Sequence, residues 1–145
     1  MTTLNSHCIS HVPASIPYSQ PSVLSSVEVL DPISGAWSYA APLPIQRAGA
    51  CMVVVNNALY IIGGTTGAGR GILNIIYPHA QNNIADVSKL VAGGNWTSGG
   101  NQMHTGRSGH ACGVQYESVI YATGGWVWQN GAVTTNTAEE YTPSS

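Results

Sequence analysis

The chain has 145 residues but only four Lys and Arg against six Asp and Glu, a formal net charge of -2. With so little positive charge, a nucleic-acid partner held by electrostatics has no support. The sequence also contains no apolar stretch of 18 residues, which excludes a membrane-spanning helix. Seventeen glycines and 43% hydrophobic residues fit many short strands and tight turns around a core.

The N-terminal residues 1–22 are rich in Pro and Ser and show no periodicity, so we predict a disordered tail or loop. They lack the basic and apolar regions of a signal peptide, which makes a cytoplasmic location the default expectation. His7, Cys8 and His11 are too few for a structural zinc site, so we predict no metal. The three cysteines are odd in number and widely spaced, so we predict no disulfide, with Cys51 and Cys112 as small buried hydrophobes.

Short strands are predicted along the rest of the chain. Residues 27–30 and 37–39 flank an Asp-Pro turn and form a hairpin. The apolar runs 51–55 and 59–62 flank Asn56-Asn57, a favourable two-residue turn. Further strands are expected at these positions: 84–91, around Trp96, 111–116, 119–123 and 137–141.

One long sequence pattern occurs twice, at residues 37–64 and 96–125. Each copy has a Trp, an Arg-x-Gly, two apolar runs and a final Gly-Gly. The corresponding Trp, Arg and first Gly residues lie 59, 60 and 61 positions apart, so the chain contains a structural repeat. The landmarks are Trp37 and Trp96, Arg47 and Arg107, Gly63-Gly64 and Gly124-Gly125.

Catalytic patterns are missing from the sequence. The glycines of residues 67–71 lack the third glycine of a dinucleotide fingerprint, and no Gly-Lys-Ser/Thr follows. Ser108 is not in a nucleophile elbow, and no acidic residue close in sequence orients His110. We therefore predict a protein that is not an enzyme, with no catalytic residues and no cofactor.

Arg47 and Arg107 are informative because charged residues are so scarce. Each guanidinium could hydrogen-bond carbonyl groups of the neighbouring repeat, or it could bind a carboxylate at the mouth of a ligand site. Both roles can hold for one residue. The recurring Trp is more simply explained as packing between repeats.

Together these residues resemble the kelch repeat. Residues 27–64 carry Val-Glu-Val-x-Asp-Pro-x-x-Gly-x-Trp, Pro-Leu-Pro, Arg-x-Gly, an apolar hairpin and Tyr-x-x-Gly-Gly. The second copy keeps Trp96, Arg107-Ser108-Gly109-His110, Tyr121 and Gly124-Gly125. It departs from the pattern in lacking the Asp-Pro turn and in one extra residue near Glu117. The resemblance covers roughly residues 23–143.

The resemblance implies an all-β fold of kelch-type β-propeller blades, each a four-stranded antiparallel sheet with strands a to d from the axis outwards. The kelch region would be 23–145, with partial blades at 27–40 and 109–141 and a complete blade at 49–98. Propellers close with about four to eight blades. We therefore expect an incomplete, open propeller that needs missing blades or self-association to close.

The resemblance also implies a function. In this family the d–a and b–c loops lie on one face and commonly bind partners; here they are residues 41–48, 64–83, 99–108 and 125–136. We expect a non-catalytic module for protein–protein interaction, its partner a protein that could present an acidic peptide. The alternatives are a fragment of a kelch enzyme resembling galactose oxidase, with copper, and a non-functional truncated product. The candidate partner-binding residues are Arg47, Arg107, Thr65, Trp126, Tyr77 and His79.

Overall fold

A computed structural model describes residues 23–67, 82–116 and 118–143. Within these ranges the chain forms eleven short strands and no α-helix, which confirms the all-β prediction. Among these residues no helix is long and apolar enough to cross a membrane. The predicted N-terminal tail and most of the insert after Gly64, including Tyr77 and His79, lie outside the described residues.

The first sheet is the predicted hairpin of β1 (Glu28–Leu30) and β2 (Trp37–Tyr39). Its turn is held by Asp31, whose carboxylate accepts hydrogen bonds from Ile33 N at 2.8 Å and Ser34 Oγ at 2.7 Å. Such local side-chain bonds to following residues favour a turn over a continued strand. This pair corresponds to strands c and d of a blade.

The second sheet has the four strands expected of the complete blade, and we use that name for it. It contains β3 (Cys51–Val55), β4 (Ala58–Ile62), β5 (Val87–Val91) and β6 (Trp96–Ser98), antiparallel and in that order. Asn56 and Asn57 join β3 to β4 with φ values of 48° and 59°. Asn tolerates this left-handed region better than most residues, and two such residues match the twist of a tight hairpin.

The third sheet has the order β7–β8–β11, formed by β7 (Ala111–Gln115), β8 (Val119–Thr123) and β11 (Ala138–Tyr141). Gln115 pairs with Val119, so three residues separate β7 from β8, whereas two separate β3 from β4. The extra residue of the second copy therefore lies in this turn, as predicted. These strands correspond to a, b and c of the next blade.

A hairpin within residues 125–136 was not predicted. Here β9 (Trp126–Trp128) pairs with β10 (Ala132–Thr134) in an isolated two-stranded sheet. The kelch resemblance predicts only a loop for this segment. The sequence does contain a hairpin signal, because Asn130-Gly131 between apolar residues is a strong pattern for a tight turn. Both residues of this turn adopt positive φ.

The core lies between the second and third sheets. Val55, Tyr60 and Ile62 of the complete blade are at most 2% exposed and pack with Ile120 and Ala122 of β8. The described sheets do not close into a ring. Trp96 contacts the preceding repeat, since its indole Nε1 donates to the carbonyl of Ala41 at 2.7 Å. Trp37 is 50% exposed.

Candidate functional site

Arg47 precedes strand a of the complete blade, and its guanidinium is turned into the protein. Its side chain is 1% exposed and forms an ion pair with Asp86 at 2.6 Å. The same nitrogen donates to Ser88 Oγ at 3.1 Å, and another donates to the carbonyl of Gly63 at 3.2 Å. Arg47 thus connects the end of strand b to the start of strand c.

Arg107 occupies the equivalent position in the next blade and is fully buried, with 0% exposure of its side chain. One terminal nitrogen donates to the carbonyls of Gly124 and Thr137, each at 3.1 Å. The other donates to Thr137 Oγ1 at 3.2 Å and forms an ion pair with Glu139 at 2.5 Å. Its Nε has no partner among the described residues.

The two arginines contact equivalent pairs of positions in their blades, but the acidic residue is at the first position of one pair and at the second position of the other. Val87 pairs with Ile62 at the end of β4, and Ala138 pairs with Thr123 at the end of β8, which aligns β5 with β11. In each blade one of the two aligned positions is an acid and the other a hydroxyl. The equivalent positions are Asp86 with Thr137 and Ser88 with Glu139.

This geometry supports the structural role of the two arginines. Their guanidinium groups are buried and hydrogen-bonded to their own blade, so they present no exposed donor to a carboxylate ligand. The link to the neighbouring repeat is made instead by main chain, where Gly64 N donates to the carbonyl of Arg107 at 2.8 Å. A partner-binding role for Arg47 and Arg107 stays a prediction that this geometry does not favour.

Glu139 joins strand c of the third sheet to the loop that precedes β7. Besides Arg107, its carboxylate accepts the main-chain N–H of His104 at 2.5 Å and of Thr105 at 3.2 Å. Burial raises the pKa of Glu139, but the hydrogen bonds from His104 and Arg107 outweigh it, so the net pKa is lowered. The group is therefore an ionised structural anchor at neutral pH.

Thr65 and Trp126, the predicted contacts after each double glycine, occupy equivalent positions. Thr65 is 4% exposed and bridges Ala48, and Trp126 bridges Ser108 in the same way. Trp126 is partly buried, and its carbonyl accepts the side-chain amide of Asn83 at 2.6 Å. Each of these bridges joins two loops of one blade, and Trp126 also contacts the neighbouring blade through Asn83.

The double glycines allow close approach at the same junction. Gly63 has φ +63°, and a Cβ there would lie 2.7 Å from the Arg107 carbonyl and 2.8 Å from the His110 ring. Gly125 has φ +87°, and its Cβ would lie 2.8 Å from that of His110. No L side chain fits in such positions, which explains why glycine recurs here.

Two cysteines correct the prediction that the chain has no disulfide. Cys51 of β3 and Cys112 of β7 are disulfide-bonded, with a Cα–Cα distance of 5.9 Å. His110 lies beside them, its Nε2 3.1 Å from Cys51 Sγ. Burial, and then the positive charge of Arg107, lower the pKa of His110 to about 4, so the ring is neutral at pH 7. Cys51 and Cys112 are only partly buried.

Comparison with known proteins agrees with this architecture. The kelch motif matches residues 46–77, from the loop before β3 into the long insert. This match supports the resemblance of the chain to the kelch repeat. Over 50 residues, 34% of its length, the chain is 38% identical to the influenza virus NS1A-binding protein homolog of Mus musculus. It covers only 8% of the length of that relative.

Kelch repeats generally form propeller-type modules for protein–protein interaction, and the antiparallel sheets of this chain are consistent with blades of that type. The alternative of a copper oxidase finds no support in these comparisons. Within the described residues, the loops of the predicted binding face are 41–48, 64–67, 82–83, 99–108 and 125–136. Because β5 begins at Val87, we extend the segment 82–83 to 82–86. We name these segments the loop face.

Proposed function

We propose that the chain binds a partner protein through the loop face, without catalysis. The carrying observation is the β9–β10 hairpin, which extends the b–c connection of the third sheet. The turns at the opposite ends of the strands are short, with two residues between β3 and β4 and three between β7 and β8. Extra structure confined to one face of a rigid scaffold is typical of a binding surface.

The hairpin carries an aromatic surface. Trp126 and Trp128 are two residues apart on β9 and therefore lie on the same side of the strand. Trp128 is 51% exposed, and Trp126 is partly buried beside Gly109. Exposed Trp is the side chain most enriched among residues that dominate protein interfaces.

Charge contributes little to the described loop face. Its formally charged residues are Arg47, Asp86 and Arg107, and each is engaged in an internal ion pair. Its exposed side chains include Ile45, His104, Trp128 and Val133. We therefore favour a partner segment that is apolar or aromatic over the acidic peptide, which remains the second candidate. The mouse relative is also named as a binding protein.

A peptide display library panned against the chain tests this proposal. We expect enriched peptides to lose at least about tenfold in affinity, measured by calorimetry, with Trp128→Ala, because a buried Trp contact is worth more than about 1.4 kcal/mol. Acidic sequences among the enriched peptides would favour the second candidate.

Tyr116→Ala provides the matched control. Tyr116 is 84% exposed and lies in the turn after β7, at the other end of the strands. This variant should bind the same peptides with unchanged affinity. Equal losses in both variants, or affinities independent of Trp128, would argue against binding through the loop face.

A further inference from the structure

Three metal-ligating atoms converge where β3 of the complete blade meets β7 of the next. The donor atoms of Cys51, His110 and Cys112 all lie within 4.8 Å of one another. We propose that the reduced chain binds one thiolate-seeking d¹⁰ cation, Zn²⁺ or Cu⁺, through these three residues. We name them the Cys-His-Cys cluster. The disulfide is the metal-free, oxidised form of the same cluster.

The blade fold itself does not require these side chains. Cys51 pairs with Ile62 at the end of β4, and Ala111 pairs with Thr123 at the end of β8, so Cys51 and Ala111 are equivalent. The residues on either side of Ala111 are then equivalent to those on either side of Cys51. Wherever one copy of the repeat has a metal-ligating residue, the other copy has an alanine or a methionine. The equivalent pairs are Cys51 with Ala111, His110 with Ala50, and Cys112 with Met52.

His110 is in the state that a metal ligand needs. It is 8% exposed, and its described polar contact is Cys51 Sγ at 3.1 Å from Nε2. Its Nδ1 is buried and has no hydrogen-bond partner among the described residues. A buried polar atom without a partner calls for an explanation, and a neutral imidazole is the form that binds metal.

The surroundings select a soft cation. Cys51, Cys112 and Met103 all pack against the apolar core. The methyl group of Met103 and the ring of His110 lie 2.9 and 2.8 Å from the position of a Cβ on Gly63, so they are neighbours. Sulfur and imidazole donors in an apolar wall favour Zn²⁺ and Cu⁺ over Mg²⁺ or Ca²⁺. With three protein ligands, Zn²⁺ would keep a fourth position open.

Metal binding requires that the disulfide is first reduced and that the two thiols then lose their protons. A dithiol reductant supplies two electrons and two protons to the Cys51–Cys112 disulfide and itself becomes a disulfide. The two thiols formed then release their protons to solvent when the cation takes both thiolates. Oxidation and metal binding are therefore mutually exclusive states of the cluster.

The test uses the full chain with Cys8→Ser, so that the cluster holds the remaining thiols. The protein is reduced with a phosphine under anaerobic conditions and titrated with Zn²⁺ against a chromogenic chelator and with Cu⁺ against bicinchoninate. Native mass spectrometry gives the stoichiometry. We expect one cation per chain and a loss of affinity of more than about a hundredfold with Cys112→Ser, beyond that of an outer-shell change.

His104→Ala is the matched control, because the side chain of His104 is 96% exposed and outside the cluster. It should leave the affinity unchanged, whereas His110→Ala should weaken it, with circular dichroism showing that each variant retains its strands. Preference for Zn²⁺ or Cu⁺ identifies the cation. The proposal is overturned if the reduced chain binds neither cation stoichiometrically, if Cys112→Ser binds as tightly, or if reduction unfolds the chain and no cation restores it.

Discussion

At the scale of single residues, the two buried arginines use their charges inside the blades. Arg47 pairs with Asp86, just before strand c, and Arg107 pairs with Glu139 of strand c, while each donates to the carbonyl of a signature glycine. A buried ion pair adds little net stability compared with an apolar packing, but removal of one partner leaves an uncompensated charge. Loss of the acidic partner of either arginine is therefore expected to destabilise its blade.

Glu139→Ala should lower the free energy of unfolding by about 3–5 kcal/mol, since it leaves Arg107 buried and unpaired. It also removes the acceptor of the His104 and Thr105 N–H groups. Urea denaturation measures the change. Glu28→Ala, at an exposed position of β1, should change stability by at most about 0.5 kcal/mol. Similar small losses in both variants would contradict the structural role of Glu139.

Acid should destabilise the oxidised, metal-free chain through His110. Its pKa is about 4 in the folded chain and 6.5 as its ordinary value, so the unfolded chain binds more protons between these pH values. The stabilisation that comes from the neutral His110 ring is fully present above pH 6.5 and is lost as the pH falls towards 4. With the ring still slightly exposed, we expect about 1–2 kcal/mol between pH 7 and 5.

Comparison with His110→Ala isolates that effect, since Glu139 changes protonation at lower pH. The lowered pKa of Glu139 keeps its contribution present above its ordinary value of 4.5 and removes it only in stronger acid. Denaturation curves at pH 7 and 5 should therefore show a smaller difference for His110→Ala. An unchanged difference in that variant would assign the acid sensitivity to another group.

The partners of the arginines could not be predicted from the sequence. Asp86 is 39 residues from Arg47, and Glu139 is 32 residues from Arg107. The acids occupy different positions of the repeat, so the two copies show no common acidic landmark. The Cys51–Cys112 contact was missed for a similar reason: it depends on how β3 of one blade packs against β7 of the next.

At the scale of elements, the local patterns were sufficient for most strands. The apolar runs around Asn56-Asn57 and the strands around the Asp31 turn pair with neighbours that are close in sequence. The structure confirms both hairpins. The β9–β10 hairpin has an equally local signal in Asn130-Gly131, although the kelch pattern predicts only a loop for this segment. That hairpin carries Trp128, the residue on which the proposed function depends.

The β3–β4 turn gives a direct test at this scale. Asn57→Val should destabilise the chain by about 1–2 kcal/mol, because a β-branched residue is strained at the φ of 59° found there. Asn57→Gly, which adopts this conformation readily, should remain within about 0.5 kcal/mol of the original chain. Thermal and urea denaturation of the two variants measure the difference. Equal stability of both variants would show that the turn does not hold this conformation in solution.

At the scale of the whole molecule, two blades are held together by apolar packing, main-chain hydrogen bonds and one covalent link. The core residues come from both sheets, and Gly109 N donates to the Gly49 carbonyl at 2.8 Å across the junction. The Cys51–Cys112 disulfide spans 61 residues of sequence at the same place. Among the described residues the sheets do not close into a ring, so there the two blades are joined by these three kinds of contact.

Reduction of the disulfide, with metal chelated, should therefore lower the free energy of unfolding by about 2–4 kcal/mol, since the unfolded chain regains the freedom of a long loop. Urea denaturation with and without reductant measures this difference. The control is the double variant Cys51→Ala and Cys112→Ala, whose stability should be independent of reductant and close to that of the reduced chain. If reductant lowers the stability of the double variant equally, the stabilising link lies elsewhere. If it changes neither protein, the apolar core and the main-chain hydrogen bonds hold the two blades together without the disulfide.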